Sequence, residues 1–279
     1  MKRFFTILFT SLLFCSSAWA YHKEVHPVHS SAMNKDINVT VILPDGYHKC
    51  IKGKNAKKYP TVYMLHGFSG NNTEWDELGK ASNLADKYNI ILVMPDGGYD
   101  SWYWDSPIKP ENRYETFVAV ELVKYIDEKF STSNDRSARA ITGLSMGGHG
   151  ALFLAIRHQD TFGAAGSMSG GVDIRPFPKN WGMAKWIGSI EENPNYWENY
   201  TVINMVDQLK PGHTKLIIDC GTDDFFYQVN CNLHNILMQA KIPHDFYVRP
   251  GAHNWNYWRN SVKFQLLFFH NFFDAATAK

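Results

Sequence analysis

Residues 139–148 read Arg-Ala-Ile-Thr-Gly-Leu-Ser-Met-Gly-Gly, a short strand-like run that leads into a glycine-rich turn. Within them, Gly143-Leu144-Ser145-Met146-Gly147 matches the pattern G-x-S-x-G, and the small residues of 147–156 predict a helix directly afterwards. Between a strand and a helix, this pattern predicts a sharp turn that lifts the Ser145 hydroxyl above the end of a sheet. The flanking glycines fit because a Cβ would collide in so tight a turn. A phosphate-binding loop is the alternative, but the chain contains neither Gly-Lys-Ser/Thr nor G-x-G-x-x-G.

The segments on either side alternate between strand-like and helix-like patterns. This alternation predicts an α/β fold, in which a mainly parallel sheet is flanked by helices on both faces. Residues 171–200 break the pattern and are rich in Pro and Trp, so we expect an insertion over the end of the sheet and a single domain over 21–279. The predicted strands are 37–43, 59–65, 90–94, 139–142, 163–168, 215–220 and 244–248, and the predicted helices are 74–88, 114–130, 147–156, 230–240 and 255–273.

The first 20 residues have the pattern of a secretory signal. Lys2-Arg3 form a positive start, 4–14 an apolar core, and Ala18-Trp19-Ala20 an A-x-A cleavage site. An apolar run of about eleven residues is too short to span about 30 Å of hydrocarbon. We therefore expect cleavage after Ala20, no stable membrane insertion afterwards, and a periplasmic or secreted mature chain.

The charge balance of the chain narrows the classes of partner. The 279 residues hold 28 Lys+Arg and 27 Asp+Glu, a formal net charge of +1. Such a chain has no electrostatic footprint for nucleic acid or for an anionic membrane. No nucleic-acid partner is expected, and the sequence does not indicate an oligomeric state.

Metal and disulfide sites are not indicated by the cysteines and histidines. Cys50, Cys220 and Cys231 would remain after cleavage, and no Cys-x-x-Cys occurs, so a thiolate zinc site is not expected. A Cys220–Cys231 bridge and reduced thiols both stay open. The histidines at 22, 26 and 29 are predicted to lie in a solvated tail rather than to bind a metal. No cofactor is required by the chemistry proposed below.

A serine nucleophile needs an adjacent base, and His253 is the histidine best placed to supply it. It follows a late strand within Arg249-Pro250-Gly251-Ala252-His253, so its loop would open at the same sheet end as Ser145. The acid that orients the base should follow the preceding strand, where Asp223 and Asp224 are adjacent. Spacing alone does not separate these two carboxylates, and either could cap the next helix instead.

Acyl transfer also needs two N–H donors for the tetrahedral oxyanion. One would be the backbone N–H of Met146, which follows the nucleophile. The other would come from the loop Leu65-His66-Gly67-Phe68-Ser69-Gly70, and Phe68 is the predicted donor. His66 would then orient this loop, because it precedes the nucleophile in the chain.

Together these motifs resemble the putative-esterase (esterase D-like) family of α/β-hydrolases, over about 37–273. The resemblance is greatest to tributyrin esterases and to feruloyl and acetylxylan esterases. In tributyrin-esterase-like members the acid stands three residues after the glycine of the motif Cys220-Gly221-Thr222-x-Asp224-Phe225, and this implies Asp224. The motifs are Leu65-His66-Gly67-x-x-Gly70, Ser101-Trp102-Tyr103, Gly143-Leu144-Ser145-Met146-Gly147-Gly148, Cys220-Gly221-Thr222-x-Asp224-Phe225 and Gly251-x-His253-x-Trp255-x-x-Trp258.

Eight tryptophans follow the predicted signal, and each lies in a segment that leaves the carboxyl end of the sheet, where α/β folds bind ligands. Aromatic walls suit a sugar ring or an aromatic acyl group, although large aromatics can also simply pack a core. Trp102 and Trp255 are the predicted cleft residues.

The sequence therefore predicts a serine carboxylic-ester hydrolase with Ser145, His253 and Asp224 as its triad. Its substrates would be feruloyl or acetyl esters of plant polysaccharide, or short-chain esters. Two alternatives remain: an acyltransferase of the mycolyltransferase kind, and a non-catalytic carbohydrate-binding relative. The intact set of Ser, Asp and His in the right order argues against the binding relative.

Overall fold

The computed structural model describes residues 21–47 and 57–277. The predicted signal at 1–20 and Cys50 lie outside the described residues. The described strands form one sheet in the order β1-β2-β4-β3-β5-β6-β7-β8. The strands are β1 (His22–Ser30), β2 (Lys35–Leu43), β3 (Thr61–Leu65), β4 (Ile91–Pro95), β5 (Arg139–Gly143), β6 (Ala164–Met168), β7 (Lys215–Gly221) and β8 (His244–Arg249).

Neighbouring strands are parallel throughout the part of the sheet in the order β4-β3-β5-β6-β7-β8. Strand β2 runs antiparallel to both of its neighbours, β1 and β4. Helices connect the parallel strands, as the alternation predicted, and the architecture is that of an α/β-hydrolase. The helices are α1 (Glu74–Glu77), α2 (Asn83–Tyr88), α3 (Tyr114–Thr116), α4 (Leu122–Lys129), α5 (Met146–Arg157), α6 (Met183–Ile187), α7 (Pro194–Asn199), α8 (Tyr227–Gln239) and α9 (Trp255–Thr277).

The central strands separate two apolar cores because side chains alternate between the faces of a strand. Along β3, Tyr63 and Leu65 join the core that contains Phe153 of α5. Val62 and Met64 join the opposite core, which contains Phe269 of α9. All five residues of β3 are buried, as expected for a strand covered on both faces.

The N-terminal histidines differ from the prediction of a solvated tail. Residues 22–30 form β1, which pairs with β2 from His22 opposite Leu43 to Ser30 opposite Lys35. The His26 ring lies 2.7 Å from a Glu24 carboxylate oxygen and 3.1 Å from the Tyr125 hydroxyl. The strand was missed because most of its side chains are exposed or half-exposed, so the apolar alternation that marks a half-buried strand is weak.

Two predicted helices are interrupted. The 74–88 segment divides into α1 and α2, and Lys80 between them has a positive φ of 54°. The 114–130 segment holds one π-helical stretch, Phe117–Glu121, between α3 and α4. The insertion at 171–200 contains the helices α6 and α7, and its Trp197 is fully buried.

The sequence left open whether Cys220 and Cys231 form a disulfide. In the structure both are free thiols.

Among the helices of residues 21–47 and 57–277, none is both long enough and apolar enough to cross a bilayer.

Candidate active site

Ser145 occupies a strained turn between β5 and α5. Its φ of 56° and ψ of −118° lie outside the regions that L-residues favour. A Cβ at Gly143 would collide with the backbone of Gly147, and a Cβ at Gly147 would collide with the carbonyl oxygens of Leu65 and His66. Glycine is therefore required at both flanking positions, as the sequence pattern predicted.

His253 meets Ser145 at this end of the sheet. It lies in the loop between β8 and α9, and its Nε2 is 2.8 Å from Ser145 Oγ. Its Nδ1 is 2.8 Å from Asp224 Oδ2 and 3.0 Å from Oδ1. A carboxylate on Nδ1 fixes the tautomer in which Nε2 can accept the serine proton.

The structure also separates the two adjacent aspartates. The Asp224 side chain has no exposed area, and its Oδ1 also accepts a hydrogen bond of 2.8 Å from the Phe226 N–H. Asp223 is exposed, and its backbone N–H donates to Gly251 O. The geometry therefore pairs Asp224 with the histidine, in agreement with the position that the resemblance implied.

The loop after β3 lies directly beside the nucleophile. A Cβ at Gly67 would stand 3.5 Å from the Ser145 Cβ. Neither the Phe68 N–H nor the Met146 N–H donates to a protein acceptor within the described chain. Two backbone donors thus remain open next to Ser145, which is the arrangement that stabilises a tetrahedral oxyanion.

His66 holds this loop in place without touching the nucleophile. Its ring is buried, with Nδ1 2.7 Å from Gly67 O, and Nε2 accepts a 2.7 Å hydrogen bond from the Gly97 N–H. The Tyr103 hydroxyl donates to the His66 carbonyl at 3.1 Å. These contacts fit the predicted orienting role, because they tie the loop to the segment that follows β4.

A cavity of about 390 Å³ opens above Ser145 and His253. Trp181 and Phe225 form one wall: their rings stack with centroids 5.6 Å apart, and Phe225 lies 4.2 Å from the His253 ring. Trp255 lines the cavity as predicted. Four further lining residues were not predicted as cleft residues, namely Glu74, Trp181, Phe225 and Trp258. The sequence signal for Trp181 was its place among the tryptophans of the insertion. The signal for Phe225 was its place at the end of the motif that contains Asp224.

Comparison with known proteins shows the family to which the chain belongs. The sequence model of the family described as "Putative esterase" matches residues 30–269. The chain belongs to this esterase family. An acetyl esterase of Caldicellulosiruptor saccharolyticus is 26% identical over 84% of this chain and 92% of its own length. The esterase Rv1288 of Mycobacterium tuberculosis is 30% identical over 80% of this chain, which spans only 54% of that protein.

A solved structure of a ferulic acid esterase superposes on this esterase with a TM-score of 0.78. It is 30% identical, and the match covers 91% of this chain and 99% of that one. The family and the named esterases make the chain a carboxylic ester hydrolase.

Trp102 of this esterase does not line the cavity, in contrast to the prediction. It is 1% exposed, and its ring stacks on Trp104 with centroids 5.5 Å apart. Its Nε1–H donates to the Trp181 carbonyl at 3.1 Å, so Trp102 holds the backbone of a wall residue. Trp102 and Tyr103 both have positive φ, 55° and 60°, and this left-handed pair is a turn that residue pattern alone does not reveal.

A buried histidine of the esterase joins α5 to the insertion. His149 accepts a 2.9 Å hydrogen bond from Trp104 Nε1–H at its Nε2, and its Nδ1 lies 2.9 Å from Gly171 O. Burial lowers the pKa of His149 to about 4, so its imidazole is neutral at neutral pH.

No group of three or more His, Cys, Asp or Glu side chains within the described residues is arranged to hold a metal ion.

Proposed function

We propose that the chain is a periplasmic or secreted serine esterase in which Ser145, His253 and Asp224 form the catalytic triad. The observation that carries this proposal is the 2.8 Å approach of His253 Nε2 to Ser145 Oγ, with Asp224 on the other ring nitrogen. The three side chains come from different loops at one end of the sheet. A histidine that only stabilised the fold would not need a serine hydroxyl at one ring nitrogen and a buried carboxylate at the other.

The first half of the reaction forms an acyl-enzyme. Ser145 Oγ attacks the ester carbonyl while His253 Nε2 takes the hydroxyl proton. The carbonyl oxygen becomes an oxyanion, which accepts hydrogen bonds from the Phe68 and Met146 N–H groups. His253 then returns the proton to the leaving alcohol, and the C–O bond to that alcohol breaks.

The second half repeats these steps with water as the nucleophile. His253 takes a proton from water, hydroxide adds to the acyl carbonyl, and collapse of the intermediate releases the acid and restores the Ser145 hydroxyl. Asp224 stabilises the imidazolium that forms in each half, because its carboxylate lies against Nδ1. This mechanism calls for no cofactor.

The substrates that we propose are acetyl or feruloyl esters of plant polysaccharide, or short-chain esters. The aromatic wall of Trp181 and Phe225 suits a planar acyl group, because flat apolar faces bind it with little loss of side-chain freedom. The relatives point the same way, since one is named an acetyl esterase and one solved neighbour a ferulic acid esterase.

The proposed location rests on sequence alone. The positive, apolar and A-x-A segments of residues 1–20 support export, with a mature chain that begins at Tyr21 as a single esterase domain. Determination of the N-terminal residue of the exported protein tests this part, and a first residue other than Tyr21 would contradict it.

Trapping of the acyl-enzyme tests the mechanism. The enzyme is mixed with p-nitrophenyl acetate, quenched in acid and digested. The masses of the peptides are then measured by mass spectrometry. We expect one acetyl group on the peptide that contains Ser145, and none in Ser145→Ala. Stoichiometric acetylation at another residue, with turnover retained in Ser145→Ala, would contradict the proposal. A large excess of a sugar acceptor in a parallel reaction measures transfer against hydrolysis.

A further inference from the structure

Glu74 is a lining residue of the catalytic cavity to which the reaction assigns no role. It is the first residue of α1, eight positions after His66 in the chain, and its side chain is half-buried. Its carboxylate lies against Gly70 in the loop after β3. A Cβ added at Gly70 would collide with this carboxylate. The other lining side chains are aromatic, aliphatic, hydroxyl or imidazole groups, so Glu74 contributes the anionic group of this cavity.

The Glu74 carboxylate makes no hydrogen bond or ion pair with any residue of 21–47 or 57–277. Asp76, two positions along the same helix, is in contrast well paired, with Lys23 Nζ 2.7 Å away. Burial raises the pKa of Glu74, because the carboxylate is partly withdrawn from water, and the nearby His66 ring only opposes this shift in part. A carboxylate has about four lone-pair sites for donors, and because Glu74 lines the cavity, a ligand bound there can supply donors to it.

Trp255 lines the same cavity as Glu74. The ring of Trp75, the neighbour of Glu74 in α1, meets the Trp255 ring edge-on with centroids 5.4 Å apart. An apolar ring and an unpaired carboxylate therefore both line the cavity, and Trp75 of α1 connects the two.

We propose that Glu74 determines specificity for the alcohol half of the ester, by accepting hydrogen bonds from adjacent hydroxyl groups of a sugar that packs on Trp255. The proposal rests on the esterase function proposed above. A sugar ring offers vicinal O–H donors for both carboxylate oxygens and an apolar C–H face for the indole. An apolar alcohol would leave the half-buried carboxylate without donors, and that loss costs binding energy.

A cationic alcohol such as choline is the competing ligand, because aromatic rings with a carboxylate also attract a quaternary ammonium. A sugar can donate a hydrogen bond to each oxygen of the Glu74 carboxylate, whereas a quaternary ammonium carries no N–H or O–H to donate. The sugar therefore satisfies the unpaired oxygens and the cation does not.

The test holds the acyl group constant and varies the alcohol. We would measure kcat/KM for ethyl acetate, for methyl xyloside carrying one acetyl group, and for acetylcholine. The enzymes are the wild type, Glu74→Met, Glu74→Gln and a matched control, Glu77→Gln, whose exposed carboxylate lies on the same helix outside the cavity.

In Glu74→Met we expect the kcat/KM ratio of the sugar ester to ethyl acetate to fall roughly 10- to 100-fold, the range for a lost hydrogen bond to a charged group. Glu74→Gln keeps one acceptor oxygen and should show a smaller fall in the same direction. It also decides the outcome if Glu74→Met does not fold. Glu77→Gln should keep the wild-type ratio.

An unchanged sugar-to-ethyl ratio in both Glu74 variants would overturn the proposal. A fall of the acetylcholine-to-ethyl ratio instead would also overturn it, in favour of a cation site. Failure of the esterase function itself is a separate result, because the wild type would then hydrolyse none of the three acetates.

Discussion

The Asp224 carboxylate lies 2.8 Å from His253 Nδ1, whereas the carboxylate of the adjacent Asp223 is exposed to solvent. The turn after β7 therefore buries one of two adjacent aspartates against His253 and leaves the other exposed to solvent. Only one of them can orient the imidazole and stabilise its positive charge.

Asp224→Asn should lower kcat by roughly 10⁴-fold, because an amide on Nδ1 no longer holds the tautomer that accepts the serine proton. Asp223→Asn, which changes the same group one residue earlier, should leave kcat close to that of the wild type. Steady-state hydrolysis of p-nitrophenyl acetate by the two variants checks this. A larger loss in Asp223→Asn would identify the other aspartate as the acid.

Trp181→Ala should lower kcat/KM for methyl ferulate by roughly 10-fold relative to p-nitrophenyl acetate. The indole stacks on Phe225 at the cavity wall, and removal of such an aromatic contact costs on the order of 1 kcal/mol beyond the lost buried area. The comparison of the two esters within one variant corrects for any general loss of active enzyme. Equal losses for both esters would show that Trp181 does not contact the acyl group.

Trp102→Ala should act mainly on stability. The ring is fully buried, and its loss should lower the free energy of unfolding by about 3–5 kcal/mol, the usual cost of truncating a buried aromatic. Urea unfolding monitored by circular dichroism measures this. A Trp102→Ala protein as stable as the wild type, with binding of the substrate impaired, would restore the prediction that Trp102 lies in the cleft.

His149→Gln should flatten the dependence of stability on pH below neutrality. The pKa of His149 is about 4 in the folded protein and 6.5 as a reference for the unfolded chain. Between these values the unfolded state binds the proton first, so the free energy of unfolding falls as pH drops from 6.5 to 4. A shift of this size corresponds to roughly 3 kcal/mol.

Urea unfolding at several pH values between 7 and 4 compares the wild type with His149→Gln. The variant should be less stable than the wild type at pH 7, where it lacks the imidazole's hydrogen bonds. Its stability should then fall less steeply as the pH is lowered. Parallel pH profiles would show that His149 does not bind a proton on unfolding.

The parts of the site that could be predicted are those in which chain order and local pattern coincide. Ser145 was evident because G-x-S-x-G needs glycine where a Cβ would collide, and the structure shows those collisions at Gly143 and Gly147. His253 was evident because it alone followed a late strand directly. Asp224 required the resemblance, since the residue types at 223 and 224 are the same.

Of the aromatic cavity walls only Trp255 was predicted, because the other wall residues depend on packing between distant segments. Trp102 and Trp181 are both tryptophans in loops above the sheet. Their places are set by left-handed turns, with φ of 55° at Trp102 and 47° at Trp181, and by the way the insertion covers the strand ends. Strand β1 was missed for a different reason, since an edge strand with exposed polar side chains lacks the apolar alternation on which the prediction relies.

The most direct test of the central claim is hydrolysis of an ester panel by the chain from Tyr21 onwards and by its Ser145→Ala variant. The panel holds p-nitrophenyl acetate, p-nitrophenyl butyrate, methyl ferulate and acetylated xylan. We predict that the wild type hydrolyses members of the panel and that Ser145→Ala loses roughly 10³-fold or more of kcat on each. Comparable rates for the two proteins would contradict the account, because the ester would then be cleaved without the Ser145 hydroxyl.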